Sequence, residues 1–357
     1  MLSSENPQKK LAAMVTMSDV AREAGVSPAT ASVVLNNRQG KVRISESTTR
    51  RVLNAATVLG YRRNELARAI GSGKNYVLGY LKIDVAAQEL EILEGVLKAA
   101  TEAGYLLKVI PREEPADPAA IARLCVEQRL AGLVARTFYK PHDTELFCQE
   151  LDRYEIPCVF VDDDADQPGR RIITSDDELG YRLTIEHLAG LGHTRIAFIA
   201  GDSVHRQSIQ RKQIYRRMMG ECRIPLRNDW IVDSNWVIES TENLIHQLFA
   251  DRADRPTALV CAGDEPAAVA MRTLWRMGYH VPRDVSVIGY SDFSYAKLLN
   301  PPLTTISQPF HEIGRAATND LLHMIDASGI ESEPACHVLP TKLVIRESTA
   351  KVPVSLL

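Results

Sequence analysis

The sequence predicts an α/β protein whose sheets are parallel and covered on both faces, preceded by a small all-helical module. Three observations lead there. Between Thr16 and Asn37 the apolar spacing is that of two short helices joined by a glycine turn. From Tyr76 onward strand-like apolar runs alternate with helix-like stretches, the pattern of crossover helices on parallel sheets. The charge also reverses between these regions. Through Asn75 twelve basic side chains face five acidic ones, a net +7, while the remainder carries thirty against forty, a net −10. A basic segment on an acidic body reads as a polyanion-binding module.

Residues 1–15 are polar and aperiodic, and disorder is expected there. Thr16 can cap the first helix, with Asp19 placed to return a hydrogen bond to the cap. Val20, Ala21 and Ala24 make one apolar face, and Gly25 stops the helix. Ser27 caps the second helix and Pro28 takes its first position, where a missing N–H costs nothing. Ala31, Val34 and Leu35 face inward; Ala29, Thr30 and Val33 are left outside. Helices this short need a partner. A third helix supplies it, with Ser45 as cap, Val52, Ala55, Ala56 and Leu59 as stripe, and Gly60 as stop. Three helices with a tight turn between the first two describe a helix-turn-helix over 16–61, whose second helix enters the major groove of double-stranded DNA. The loop from Asn36 to Ile44 carries Arg38, Lys41 and Arg43, either as a solvated loop or as extra contacts to phosphates.

Residues 62–75 form a linker. In it Asn64 can cap, Glu65 suits a first turn and Gly71 can end a helix too short to persist without an outside partner. Beyond it the strands VLGYLKI, YLLKVIP, GLVARTF, IPCVFVD, RIAFIAG, TALVCAG and VSVIGY alternate with helices at Leu90–Ala103, Ala119–Gln128, Asp177–Leu191, Ser208–Cys222 and Pro266–Met277. Ligands of such sheets bind beyond the carboxyl ends of the strands. Asp84, Asp162, Asp264, Ser291 and Asp292 lie there and are the pocket candidates.

Other classes find little support. No apolar run approaches a membrane span, and MLSSENPQKK lacks the apolar stretch of an export signal, so a cytoplasmic protein is expected. The six cysteines form no CxxC pair, which argues against a structural zinc site or a disulfide framework. No dinucleotide, P-loop, nucleophile-elbow or HExxH motif occurs, so neither an enzyme nor a cofactor or metal is expected. A transport-type binding protein would need an export signal and no basic module.

DVAREAGVSPATASVVLN, RISESTTRRVLNAATVLGYRRNELARAI, HLAGLGHTRIAFIAG, GYHVPRDVSVIGYSDF, PPLTTISQP and LPTKLVIRESTA together resemble the lactose-repressor/galactose-repressor family of bacterial transcription regulators, over roughly residues 14 to 350. The resemblance implies a repressor whose affinity for its operator is controlled by a small-molecule effector, a sugar or related metabolite. It implies a periplasmic-binding-protein-like core over 76–350, made of two doubly wound subdomains, about 76–174 with 308–339 and 175–307 with 340–350, and a tail at 351–357. The chain would cross between them near Thr174, Ser307 and Leu339. It implies a homodimer on a palindromic operator, and KVPVSLL offers no heptad for a tetramer.

The matching DNA-binding positions are Thr16, Ser18, Ser27, Pro28, Ala29, Thr30, Val33 and Asn36, with Ala67 and Ile70 as the hinge pair that wedges into the minor groove. Pro28, Ala29 and Val33 have no side-chain donor or acceptor, so readout through thymine methyl groups is expected. The matching effector positions are Asp162, Arg211, Trp236, Asp264 and Gln308, beside the strand-end candidates Asp84, Ser291 and Asp292. Departures concentrate here. Gly263 stands where the family has asparagine, Ser291 where it has the aspartate that grips sugar hydroxyls, and Ile214 where it has glycine. Losing two polar groups implies a different ligand or a weakened site.

Overall fold

The computed structural model describes residues 15–35, 44–61, 75–82, 87–112, 116–138, 140–162, 170–204, 206–326 and 336–352. The expectations for residues 1–14, the loop with Arg38, Lys41 and Arg43, the hinge, and the end of the tail lie outside them, as do Asn36, Ala67, Ile70 and Asp84. The chain divides into two units, Met1–Lys74 and Asn75–Leu357.

In the first unit α1 spans Met17–Glu23, α2 Pro28–Leu35 and α3 Glu46–Leu59. The capping box at α1 is complete: the Asp19 N–H donates to Thr16 Oγ1 at 3.3 Å, and the Thr16 N–H donates to Asp19 Oδ2 at 3.0 Å. Gly25 turns the chain at φ 62°, and the Val26 N–H then reaches the Ala21 carbonyl at 3.0 Å. Val20, Ala21, Ala24, Ala31, Val34, Val52 and Ala55 form the core where the three helices meet. Arg51 of α3 donates to the Ala24 carbonyl at 2.9 Å and so satisfies the end of α1, a bond that spacing alone does not announce.

The second unit holds two six-stranded sheets. The first runs in the order β11-β5-β4-β3-β1-β2, with β1 Val77–Lys82, β2 Leu106–Pro111, β3 Gly132–Ala135, β4 Cys158–Val161, β5 Arg171–Ser175 and β11 Cys336–Leu339. Its helices are α4 Ala87–Glu102, α5 Pro118–Glu127, α6 Pro141–Arg153 and α11 Phe310–Asp326. The second runs β12-β10-β9-β8-β6-β7, with β6 Ile196–Ala200, β7 Ile231–Asp233, β8 Ala258–Cys261, β9 Ser286–Ser291, β10 Thr304–Ser307 and β12 Lys342–Val344. Its helices are α7 Asp177–Gly190, α8 Arg206–Glu221, α9 Ile238–Leu248 and α10 Asp264–Arg276. Apolar clusters cover both faces of each sheet, which is why the central strands read as continuous apolar runs.

The chain passes between these lobes after Ser175, after Ser307 and after Leu339. Among the described residues parallel pairing fails once, where β12 runs antiparallel to β10. The chain leaves the second lobe at the carboxyl end of β10 and returns through β12 at that same end, so the two strands must oppose. In the first lobe α4 and α11 touch backbone to backbone. A Cβ on Gly95 would overlap the His311 carbonyl, and one on Gly314 would overlap the carbonyl of Ile92. Glycine at both positions removes the side chains that would hold the helices apart.

Candidate operator-reading surface and effector cleft

On the helical unit, Thr16, Ser18, Ser27, Pro28 and Ala29 are exposed, and Thr30 and Val33 are half-buried on the outer face of α2. The Thr30 N–H donates to Ser27 Oγ at 3.1 Å and the two hydroxyls lie 2.9 Å apart, so these polar groups stiffen the first turn. Pro28, Ala29 and Val33 are left as an apolar patch of the size that meets a thymine methyl.

In the core the strand ends carry the chemistry. Four predicted effector residues, Asp162, Trp236, Ser291 and Asp292, adopt positive φ of 49°, 58°, 128° and 63°. Such backbone is costly for residues with a Cβ and collects where a site fixes it.

On the first lobe, Asp162 follows β4 and Arg136 follows β3. Arg136 donates to the Asp162 carbonyl at 3.1 Å, lies 3.7 Å from its carboxylate and 3.4 Å from Glu89 Oε1. Glu89, in the first turn of α4, is fully buried and accepts the Tyr80 hydroxyl at 2.7 Å. Burial, with Glu89 beside it, holds the Tyr80 phenol far above its usual pKa, so it stays a donor. Two carboxylates thus share one guanidinium.

On the second lobe the balance differs. Asp177, the first residue of α7, takes Arg211 Nε at 2.7 Å and Nη2 at 3.2 Å, while Nη1 lies 3.4 Å from the Ala262 carbonyl. The guanidinium sits 4.7 Å from the centre of the Tyr290 ring, and the Tyr290 hydroxyl donates to Asp177 at 2.7 Å. Burial opposes the charge of Arg211, but Asp177 outweighs it and the pKa stays above the ordinary arginine value. Tyr181 stacks on Tyr290, with the ring centres 5.1 Å apart.

Trp236 is 43% exposed and donates through Nε1 to Asp202 at 3.2 Å. Its indole lies against Gly201 and Gly263, where a Cβ would collide with the ring at the first and crowd it at the second. This gives the glycine at 263 a physical reason, since the indole occupies the space a side chain would need.

Gln308 joins the crossovers: its amide donates to Ser175 Oγ at 2.8 Å and accepts the Ser291 hydroxyl at 3.3 Å. Asp292 is taken by Arg346 at 2.6 Å. Asp264 is completely buried and accepts the Thr305 hydroxyl at 2.5 Å and the Phe293 N–H at 2.8 Å. Burial pushes its pKa up to about 6 against these two hydrogen bonds. Asp264 and Asp292 therefore brace the loop after β9. Glu91 of α4 is raised by burial and by the carboxylate of Asp292, with Glu94 and Glu312 adding to it.

Glu89, Arg136, Asp177, Asp202 and Tyr290 are additions to the residues read from sequence. Arg136, Asp177 and Asp202 lie one or two residues beyond their strands, so the strand-end rule that picked Asp162 could have found them. Glu89 and Tyr290, in a helix and a strand, carried no such signal. Among the described residues no cluster of His, Cys, Asp and Glu could hold a metal, and no helix is long and apolar enough to cross a membrane.

A helix-turn-helix unit and a two-lobed core with polar strand ends define a class: DNA-binding transcription regulators with a ligand-binding-type core. Residues 16–64 match the bacterial regulatory proteins of the lacI family, and residues 185–349 match a periplasmic binding protein-like domain. The chain is 31% identical to the HTH-type transcriptional repressor PurR of Vibrio vulnificus over 346 residues, 95% of this chain and all of that protein. It is 28% identical to the HTH-type transcriptional regulator DegA of Bacillus subtilis, over 94% of this chain and 98% of that one. Its structure is similar to the lac repressor dimer bound to operator and the anti-inducer ONPF, with a TM-score of 0.80 and 26% identity over 94% of this chain and 99% of that one. It is also similar to the transcriptional regulator CelR in complex with cellobiose, with a TM-score of 0.69 and 26% identity over the same shares. The chain belongs to the lacI family of bacterial regulatory proteins. It is a DNA-binding transcriptional regulator, not an enzyme.

Proposed function

We propose that this regulator is a cytoplasmic, nucleoid-associated repressor that binds a palindromic operator as a homodimer and is switched by a small molecule held between the lobes. The effector would meet Asp162, Arg211, Trp236, Ser291 and Gln308, with Asp84, Asp264 and Asp292 around them. The observation that carries the reading is the left-handed backbone at Asp162, Trp236, Ser291 and Asp292. Strain at four residues on three strand ends of one domain supports a site rather than a scaffold. The named repressors among the relatives support the sign of regulation.

Operator contacts would come from Thr16, Ser18, Ser27, Pro28, Ala29, Thr30, Val33 and Asn36, with Ala67 and Ile70 completing them at the minor groove. The test is fluorescence anisotropy with DNA from upstream of the chain's own gene, using the full chain, the chain without residues 1–75, and Ile70→Gly. The full chain should bind, the truncated chain should not, and Ile70→Gly should bind weakly. A metabolite that changes operator affinity should do so by a coupling of about 1–3 kcal/mol, and operator should change its affinity equally. Equal binding by the full and truncated chains would end the proposal.

A further inference from the structure

The guanidinium of Arg211 is closed off on several sides. Arginine grips a carboxylate or phosphate through a planar fork of two N–H groups. In this core the Nε–Nη2 fork is filled by Asp177, at 2.7 and 3.2 Å. The Ala262 carbonyl lies 3.4 Å from Nη1, and the Tyr290 ring covers one face at 4.7 Å. Both side chains of the pair are nearly buried, with 8% of Arg211 and 12% of Asp177 exposed.

The adjoining cavity points the same way. Thr174, Ser175, Asp177, Arg182, Gln207 and Gln210 lie among the walls of a space of about 430 Å³ at the first crossover, and Arg211 is not on its wall. A molecule entering there meets the Asp177 carboxylate and the exposed Arg182, but not Arg211. An anion would have to displace Asp177 inside a poorly solvated site, where an unpaired carboxylate is expensive. A hydroxyl or amide needs no such displacement, because it can donate to the carboxylate.

We infer that Asp177 is a specificity-determining residue of the effector site, a charge filter that closes Arg211 into a neutral pair and so keeps a carboxylate or phosphate from being gripped by Arg211, while leaving the Asp177 carboxylate to accept from uncharged polar groups. This rests on the reading of Arg211 as effector-facing.

Inorganic sulfate is the probe, titrated by calorimetry into the full chain against sodium chloride at equal ionic strength. The proteins are wild type, Asp177→Asn, Asp177→Ser, Arg211→Gln and the double variant Asp177→Asn with Arg211→Gln. Asparagine keeps the shape of the side chain and an acceptor for Tyr290 and Arg211, and serine opens the fork further should the amide close it again. Wild type should show no saturable sulfate binding that Arg211→Gln abolishes. At least one Asp177 variant, folded by circular dichroism, should bind sulfate about tenfold or more tighter than wild type, the scale of a charge-assisted hydrogen bond. The double variant should lose it. A merely structural Asp177 would not create an anion site on removal. Sulfate binding by wild type that Arg211→Gln abolishes would overturn the filter, and so would folded Asp177 variants that gain nothing. The readout involves neither DNA nor effector, so its failure leaves the repressor reading standing, and failure of operator binding leaves the filter standing.

Discussion

The two lobes carry the same architecture and opposite electrostatic solutions. On the first, Arg136 serves Glu89 and Asp162 together at 3.4–3.7 Å, a loose arrangement of two carboxylates about one guanidinium. On the second, Arg211 and Asp177 form a tight pair, one to one, at 2.7 Å. The difference shows that strand-end geometry supplies positions, not charges. Each lobe sets its own balance through a neighbouring helix, α4 for Glu89 and α7 for Asp177.

The largest effect that tests this contrast comes from the arginines. Arg136→Ala leaves Glu89 and Asp162 buried without their shared cation and should cost about 3–5 kcal/mol in urea unfolding. Arg211→Ala should cost less, because it strips one buried carboxylate of its cation rather than two. If Arg211→Ala proved the more damaging, the number of carboxylates an arginine serves would not set the cost. Next is Gly314→Ala, whose new methyl meets the α4 backbone and should cost about 1–3 kcal/mol by the same measurement. It tests whether α4, which brings in Glu89, is fixed by close packing.

A pH experiment isolates Asp264. Its folded pKa, about 6, lies above the ordinary carboxylate value, so the folded state binds its proton more tightly than the unfolded state does. The contribution to stability is full at low pH and is lost as pH rises through about 6. Raising the pH from about 4.5 to about 7.5 should therefore lower the Tm of wild type more than that of Asp264→Asn. Equal slopes would remove Asp264 from the account. The smallest effect is expected outside the core, where Thr16→Ala removes the α1 cap and should cost the helical unit about 1 kcal/mol by thermal unfolding.

Much of the fold was legible because each helix of the first unit carries its own punctuation in Thr16, Gly25, Ser27, Ser45 and Gly60. The central strands were legible because burial on both faces leaves them almost wholly apolar. Helices Pro141–Arg153, Ile238–Leu248 and Phe310–Asp326 were not read, nor were the short strands at the sheet edges or their inner neighbours Arg171–Ser175 and Thr304–Ser307, where threonine and serine break the apolar run. Edge strands such as Ile231–Asp233 are three residues long and half-buried, so they make no apolar run. In the candidate site, single polar residues after strands could be seen. Their pairing could not: Asp177 and Arg211 are 34 positions apart, and Glu89 and Arg136 are 47 apart. Nothing local in the sequence says which carboxylate a given arginine meets.

The three crossovers lie side by side, between the neighbouring strands β11 and β5 on one lobe and β12 and β10 on the other. Mechanically they act as three pins along one edge of a door. Such a joint swings about a single line and resists both twist and sideways slide. The motion available to the lobes is thus set by the backbone at that edge, while the chemistry that drives it sits on the panels. Side chains on the panels, such as Ser291 or Gly263, can change without altering how it swings.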